Sequence, residues 1–170
     1  RGDSGPIDSV DPYLVSLLFA GNRFEMAPRI RKWLQDGEVV LLDRYVYSNI
    51  AFQCAKLKNP AEREQLRDFI LKMEYEHFGI PRPDVNLFLD VPLTFVKEKL
   101  ESPRQGEDRS YLQGKDDIHE ASLSFQQRVR DVYLDQAVDD KSFRIISCND
   151  QEGRMAQWQV IFERIIPYLP

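Results

Sequence analysis

An acid and a guanidinium stand side by side at Asp43-Arg44, directly after the run Glu38-Val39-Val40-Leu41-Leu42. A short apolar run following a turn residue, here Gly37, reads as a strand buried on both faces. In open parallel sheets, ligands bind beyond the carboxyl ends of the strands. A fixed carboxylate there can hold a metal or orient a nucleophile. A fixed guanidinium can grip a phosphate through two parallel hydrogen bonds. The combination suits phosphoryl transfer. Taken alone, an Asp-Arg pair is more often a strand end paired with neighbouring charges, because two-residue motifs recur by accident.

Two further groupings change that balance. Phe19 and Arg23 are four apart in a stretch that reads as helix, so they share a face. A ring beside a guanidinium can stack a nucleobase and hydrogen-bond its edge. On a helix alone, Phe19 in the core and Arg23 as a surface charge is the commoner arrangement. Asn49 and Gln53 are also four apart, and both can match donors and acceptors on a base. Phe52 offers a flat apolar wall, and Ser48 has the chemistry of an ordinary helix cap.

The elements that must position these residues follow from periodicity and punctuation. Residues 1–12 read as loop, and Asp11-Pro12 opens a helix carrying Leu14, Leu17, Leu18 and Phe19. Pro28 is expected to break or restart it, and Asp36-Gly37 to end it. Residues 50–57 read as helical. Asn59-Pro60 opens another helix, with Leu66, Phe69, Ile70 and Met73 at helical spacing. Residues 84–90 form a second expected strand, 95–100 a short helix, 121–137 a long helix and 143–147 a third strand. An amphipathic helix around Trp158 and Ile165 closes the chain. Strands alternating with helices imply a parallel α/β sheet. Residues 101–117 are polar and too long for an ordinary connection, so they read as a lid or as disorder. Arg128 and Arg130 read as structural or exposed.

Bulk composition bounds the function. At 170 residues, a single domain with a sizeable core is expected. Hydrophobic residues at 42% and charged residues at 30% fit a folded globular chain, and a net charge of −5 argues against a dedicated nucleic-acid binder. Cys54, Cys148, His77 and His119 fall in no metal-ligand spacing, so no zinc site or disulfide framework is expected, and an intracellular home fits. No run is apolar enough to span a membrane, and no signal peptide is visible.

Taken together, the motifs are specific. Leu-Leu-Phe-Ala-Gly-Asn-Arg at 17–23, Leu-Asp-Arg-Tyr-Val-Tyr-Ser-Asn-Ile-Ala-Phe-Gln at 42–53 and Pro-Asp-Val-Asn-Leu-Phe-Leu-Asp-Val-Pro at 83–92 closely resemble the thymidylate kinase family. The stretch 125–134, with Gln-Gln-Arg-Val-Arg and Tyr133, is similar to the helix after that family's lid. The resemblance implies a three-layer P-loop kinase fold, a parallel sheet flanked by helices. It implies transfer of the ATP γ-phosphoryl group to thymidine monophosphate with Mg²⁺, in a cytoplasmic homodimer. By motif position it implies that Phe19 stacks on thymine, that Arg23 hydrogen-bonds its edge and that Asn49 also reaches the base. Phe52 would pack against base and deoxyribose, Ser48 and Gln53 would complete the pocket, and Arg44 would hold phosphate oxygens. Asp43 would place Mg²⁺ through water, and a lid arginine, Arg109 or Arg104, would reach the transferring group.

The family's Gly-rich phosphate loop, G-x-x-x-x-G-K-[ST], has no match in these residues. Its strand lies mid-sheet in related kinases. The expectation is therefore a C-terminal part of a longer protein, with central strand and phosphate loop missing. The competing expectations are a non-catalytic nucleotide-binding homologue, or a kinase for another nucleoside or nucleotide on the same fold.

Overall fold

The computed structural model describes residues 10–101 and 123–170, and the chain divides into two compact units, 10–84 and 85–169. The expected lid, 101–117, lies outside the described residues except for Glu101, and Arg104 and Arg109 fall in the part not described.

The first unit is helical. Helix α1 spans Pro12–Gln35. The Asp11 carboxylate caps it, accepting from the Tyr13 and Leu14 amides at 2.8 and 3.1 Å, and Pro12 fills the position where a missing N–H costs nothing. The expectation of a break at Pro28 is wrong: α1 runs straight through it. A proline there deprives the Phe24 carbonyl of its intrahelical donor. Burial of Ala20 and Ala27 before it and of Ile30 after it anchors the helix on both sides of the proline. The helix ends as expected at Asp36-Gly37. The Gly37 amide donates to Leu34 O at 3.1 Å and the Glu38 amide to Trp33 O at 3.0 Å, with Gly37 at φ +80°. Paired bonds of this kind around a left-handed residue close the helix end.

The expected strand at 38–42 does not form; none of its residues has strand hydrogen bonding. Val39 and Leu41 are 73% and 86% exposed. A strand exists only through a neighbour that answers its amides and carbonyls, and no strand lies beside this segment among the described residues. Helix α2 spans Val46–Cys54, beginning and ending earlier than the expected 50–57. Ser48 therefore lies inside the helix, and the cap position falls to Tyr45, whose side chain makes no capping bond.

Helix α3 spans Pro60–Leu71, with the Asn59 carboxamide accepting from Ala61 N at 3.0 Å. Leu66 and Ile70 are fully buried, while Phe69 is exposed. The helix widens into a π-helical turn, Lys72–His77. Such turns are rare and recur at functional sites. Helix α2 packs against α1 and α3, burying Val46, Ile50, Ala51 and Cys54 in the unit's core.

The second unit is α/β. Strand β1, Asn86–Asp90, and strand β2, Phe143–Ser147, run parallel, with Asn86 opposite Phe143 and Asp90 opposite Ser147. Helices α4, Leu93–Glu101, and α5, Leu123–Asp139, lie between them in sequence. Helix α6, Trp158–Ile165, follows β2. Phe88 of β1 stacks on Tyr133 of α5, with ring centres 4.5 Å apart. Ile146, Cys148, Ala156 and Ile161 form a core between β2 and α6. The Arg130 guanidinium clamps both Asp90 carboxylate oxygens at 2.5 and 2.8 Å, the structural role expected of it. No helix among the described residues is long and apolar enough to cross a membrane.

Two measurements follow. Gly37→Ala forces an L side chain into the left-handed region and should cost about 1–2 kcal/mol, read from the urea midpoint. Burial pushes the Cys54 thiol from its ordinary 9.0 up to about 12. The unfolded chain therefore loses that proton first. The stability this supplies is complete below pH 9 and should drain away between pH 9 and 12, as a pH series of unfolding midpoints would show. Over the same range Cys54→Ala should flatten the decline.

Candidate functional site

The residues singled out for chemistry by sequence, other than the lid arginines, fall in the first unit. They are organised around a residue that sequence reasoning passed over. Glu74, in the π-helical turn, is fully buried. Arg23 of α1 donates to both of its carboxylate oxygens, Nε to Oε2 at 2.5 Å and Nη2 to Oε1 at 2.6 Å. Asn49 of α2 donates its amino group to Glu74 Oε1 at 3.0 Å and to the Ser16 carbonyl of α1, also at 3.0 Å. Three elements thus meet on one carboxylate.

A signal for Glu74 existed. Leu66, Ile70 and Glu74 are spaced by four, so the acid continues the buried stripe of α3. A charge on a core face needs partners inside the protein.

Arg23 is therefore neither a surface charge nor free to swing. Its guanidinium is held edge-on by Glu74, and its Nη1 makes no hydrogen bond among the described residues. The Asn49 carboxamide is 3% exposed, and its Oδ1 is buried without a hydrogen-bond partner among the described residues. Phe19, one turn before Arg23, is 39% exposed and so is not a core residue. Gln53 is completely buried, and both its amide atoms lack partners among the described residues. Buried polar atoms are almost always answered, so these three atoms of Asn49 and Gln53 stand out in the unit.

Arg44 stands at the turn into α2, exposed, with φ +65°. It is the one non-glycine residue with positive φ among those described. A long side chain in that region is strained, and such strain gathers at functional sites. Its guanidinium lies 5.0 Å from the centre of the Phe52 ring. Phe52 is itself buried, so in this structure its ring seats Arg44. The next residue, Tyr45, donates its hydroxyl to Pro81 O at 2.9 Å. Burial, and after it the Glu74 carboxylate, push that phenol up to about 12, while Arg23 and Arg31 act against them. Tyr45 is thus within electrostatic reach of Glu74 and Arg23, and it ties the Arg44 turn to their network.

Asp43 is exposed beside Arg44. No group of three or more acidic, histidine or cysteine side chains gathers into a metal cage among the described residues. Magnesium asks for less: it keeps several waters and takes one or two carboxylates together with substrate phosphates. A lone exposed aspartate next to an exposed arginine fits that habit.

Arg44→Gly should relieve the strain and raise the unfolding midpoint by the equivalent of about 1 kcal/mol, net of glycine's extra chain entropy.

Comparison with known proteins adds the following. Residues 8–157 match the family model described as thymidylate kinase. A protein named probable thymidylate kinase from Pyrobaculum aerophilum is 30% identical over 133 residues, covering 78% of this chain and 58% of the relative. A thymidylate kinase of Lacticaseibacillus casei is 30% identical over 145 residues, covering 85% of this chain and 62% of the relative. One from Arabidopsis thaliana is 28% identical over 158 residues, covering 92% of this chain and 51% of the relative. The chain therefore spans between half and two thirds of the length of these three curated relatives.

Proposed function

The chain belongs to the thymidylate kinase family, and from that premise we propose that the protein transfers the γ-phosphoryl group of ATP to thymidine monophosphate. The observation that carries this reading is the network on Glu74. It holds Arg23 and Asn49, the two residues matched to the family's base-reading positions, in one buried hydrogen-bonded set. Arg44 enters the same unit one residue before Tyr45, in a strained conformation with a phosphate-binding side chain.

In this reading the thymine edge meets Arg23 and Asn49, and Phe19 supplies a stacking face. Gln53 and Ser48 complete the pocket, and Phe52 packs beside the sugar while it supports Arg44. Arg44 grips the monophosphate and sets it in line for attack. Asp43 would hold Mg²⁺ through water, and the ion would supply charge neutralisation on the phosphates. Positioning and charge neutralisation are what phosphoryl transfer chiefly requires. A lid at 101–117, with Arg109 or Arg104, would add positive charge at the transferring group. Both units belong to one domain in this reading, and the family model runs across both. A homodimer fits the exposed apolar residues Leu14, Leu17 and Leu18 on α1, and in this reading the protein is cytoplasmic.

The test is phosphorylation of thymidine monophosphate by the full-length protein, with ATP, with and without Mg²⁺. Magnesium-dependent formation of the diphosphate is expected, and its absence refutes the reading. Arg44→Gly, though more stable, should lower kcat/KM on the order of a hundredfold, as loss of a preorganised phosphate contact does.

A further inference from the structure

We infer that Glu74 is a positioning residue that decides which pyrimidine the pocket accepts, without touching the base. The inference rests on the reading above, in which Arg23 and Asn49 face the base edge.

Hydrogen-bond polarity fixes what the two side chains can offer. An asparagine carboxamide can normally be turned over, exchanging its donor end for its acceptor end. At Asn49 it cannot. Nδ2 faces two groups that only accept, the Glu74 carboxylate and the Ser16 carbonyl, each at 3.0 Å. Turning the amide would set Oδ1 against both. The two N–H bonds are therefore spent on the protein, and what remains is Oδ1, an acceptor, buried and unanswered among the described residues.

Glu74 fixes Arg23 in the same way. It consumes the Nε hydrogen and one hydrogen on Nη2. The guanidinium is left with both Nη1 hydrogens and the second on Nη2, all of which can only be donated.

One buried carboxylate thus leaves a defined pair of offers, an acceptor from Asn49 and a donor from Arg23. A thymine or uracil edge presents an imide N–H beside a carbonyl, which answers both. A cytosine edge presents a bare ring nitrogen beside an amino group, which meets like with like at each position. A site with buried polar groups rejects a ligand that leaves them unpaired far more strongly than it rejects a missing methyl.

Changing the group at 74 should therefore alter selectivity and not only stability. In Glu74→Gln the side-chain amide can itself turn, so it can accept from Asn49 or donate to it. The polarity of Asn49 is no longer dictated. In Glu74→Asp the charge that neutralises Arg23 is kept, but the side chain is one methylene too short to hold both partners.

The experiment measures kcat/KM of the full-length protein for dTMP and for dCMP, in wild type, E74Q and E74D, alongside thermal unfolding. Wild type should favour dTMP by about a hundredfold or more. In E74Q, KM for dTMP should rise about tenfold with kcat little changed, and the dTMP/dCMP ratio should shrink at least about tenfold. Should the unpaired Arg23 charge keep E74Q from folding, E74D carries the test, with the same narrowing expected. A folded variant with the wild-type ratio, whatever its melting temperature, overturns the inference and leaves the proposed reaction standing. A wild-type protein with no activity on dTMP overturns the pocket reading and the inference together.

Discussion

A carboxylate cut off from water must find its donors inside the protein, and Glu74 finds three. They come from α1 and α2, while the acid itself hangs from the π turn that extends α3. Desolvating a lone charge is costly, and removing one partner of such a set is worse than never having built it. The packing of the three elements and the setting of the site are therefore one problem. A helix shift that broke the Arg23 contact would both misplace a site residue and strand a buried charge.

The same constraint explains why the unit tolerates irregularities. A proline inside α1 and a widened turn after α3 are both unfavourable locally. The segment after the widened turn is held by one local bond and two from other elements. The Ile80 amide donates to Glu74 O at 3.0 Å, the Arg31 guanidinium to Gly79 O, and the Tyr45 hydroxyl to Pro81 O. The segment after the π turn is stitched to both α1 and the α2 entry. Regularity has been exchanged for a particular placement of one acid.

Much of this could be read from the residues. The caps at Asp11 and Asn59, the stop at Gly37, the strand 143–147 and the long helix before it are local, and local chemistry is written locally. The family motifs led to Arg23, Arg44 and Asn49. What escaped reading depends on distant partners. The apolar run at 38–42 carries strand composition, but strand structure is a property of two segments, and the second is not among the described residues. Pro28 is a breaker only where nothing holds the helix together across it. Ser48 has cap chemistry but sits in a helix that begins earlier, because Val46 and Ile50 are drawn into the core. Glu74 was missed for the opposite reason. Its stripe with Leu66 and Ile70 was visible, yet an acid among charged neighbours reads as solvent-facing until its partners are known.

The left-handed backbone at Arg44 has a consequence for descent. Glycine and asparagine sit more easily in that conformation than arginine does. Under the phosphate role proposed for Arg44, a gene copy kept only for its fold would drift toward one of those two residues. The residue found at this one turn in duplicated copies is thus a gauge of which of them are still under selection to bind.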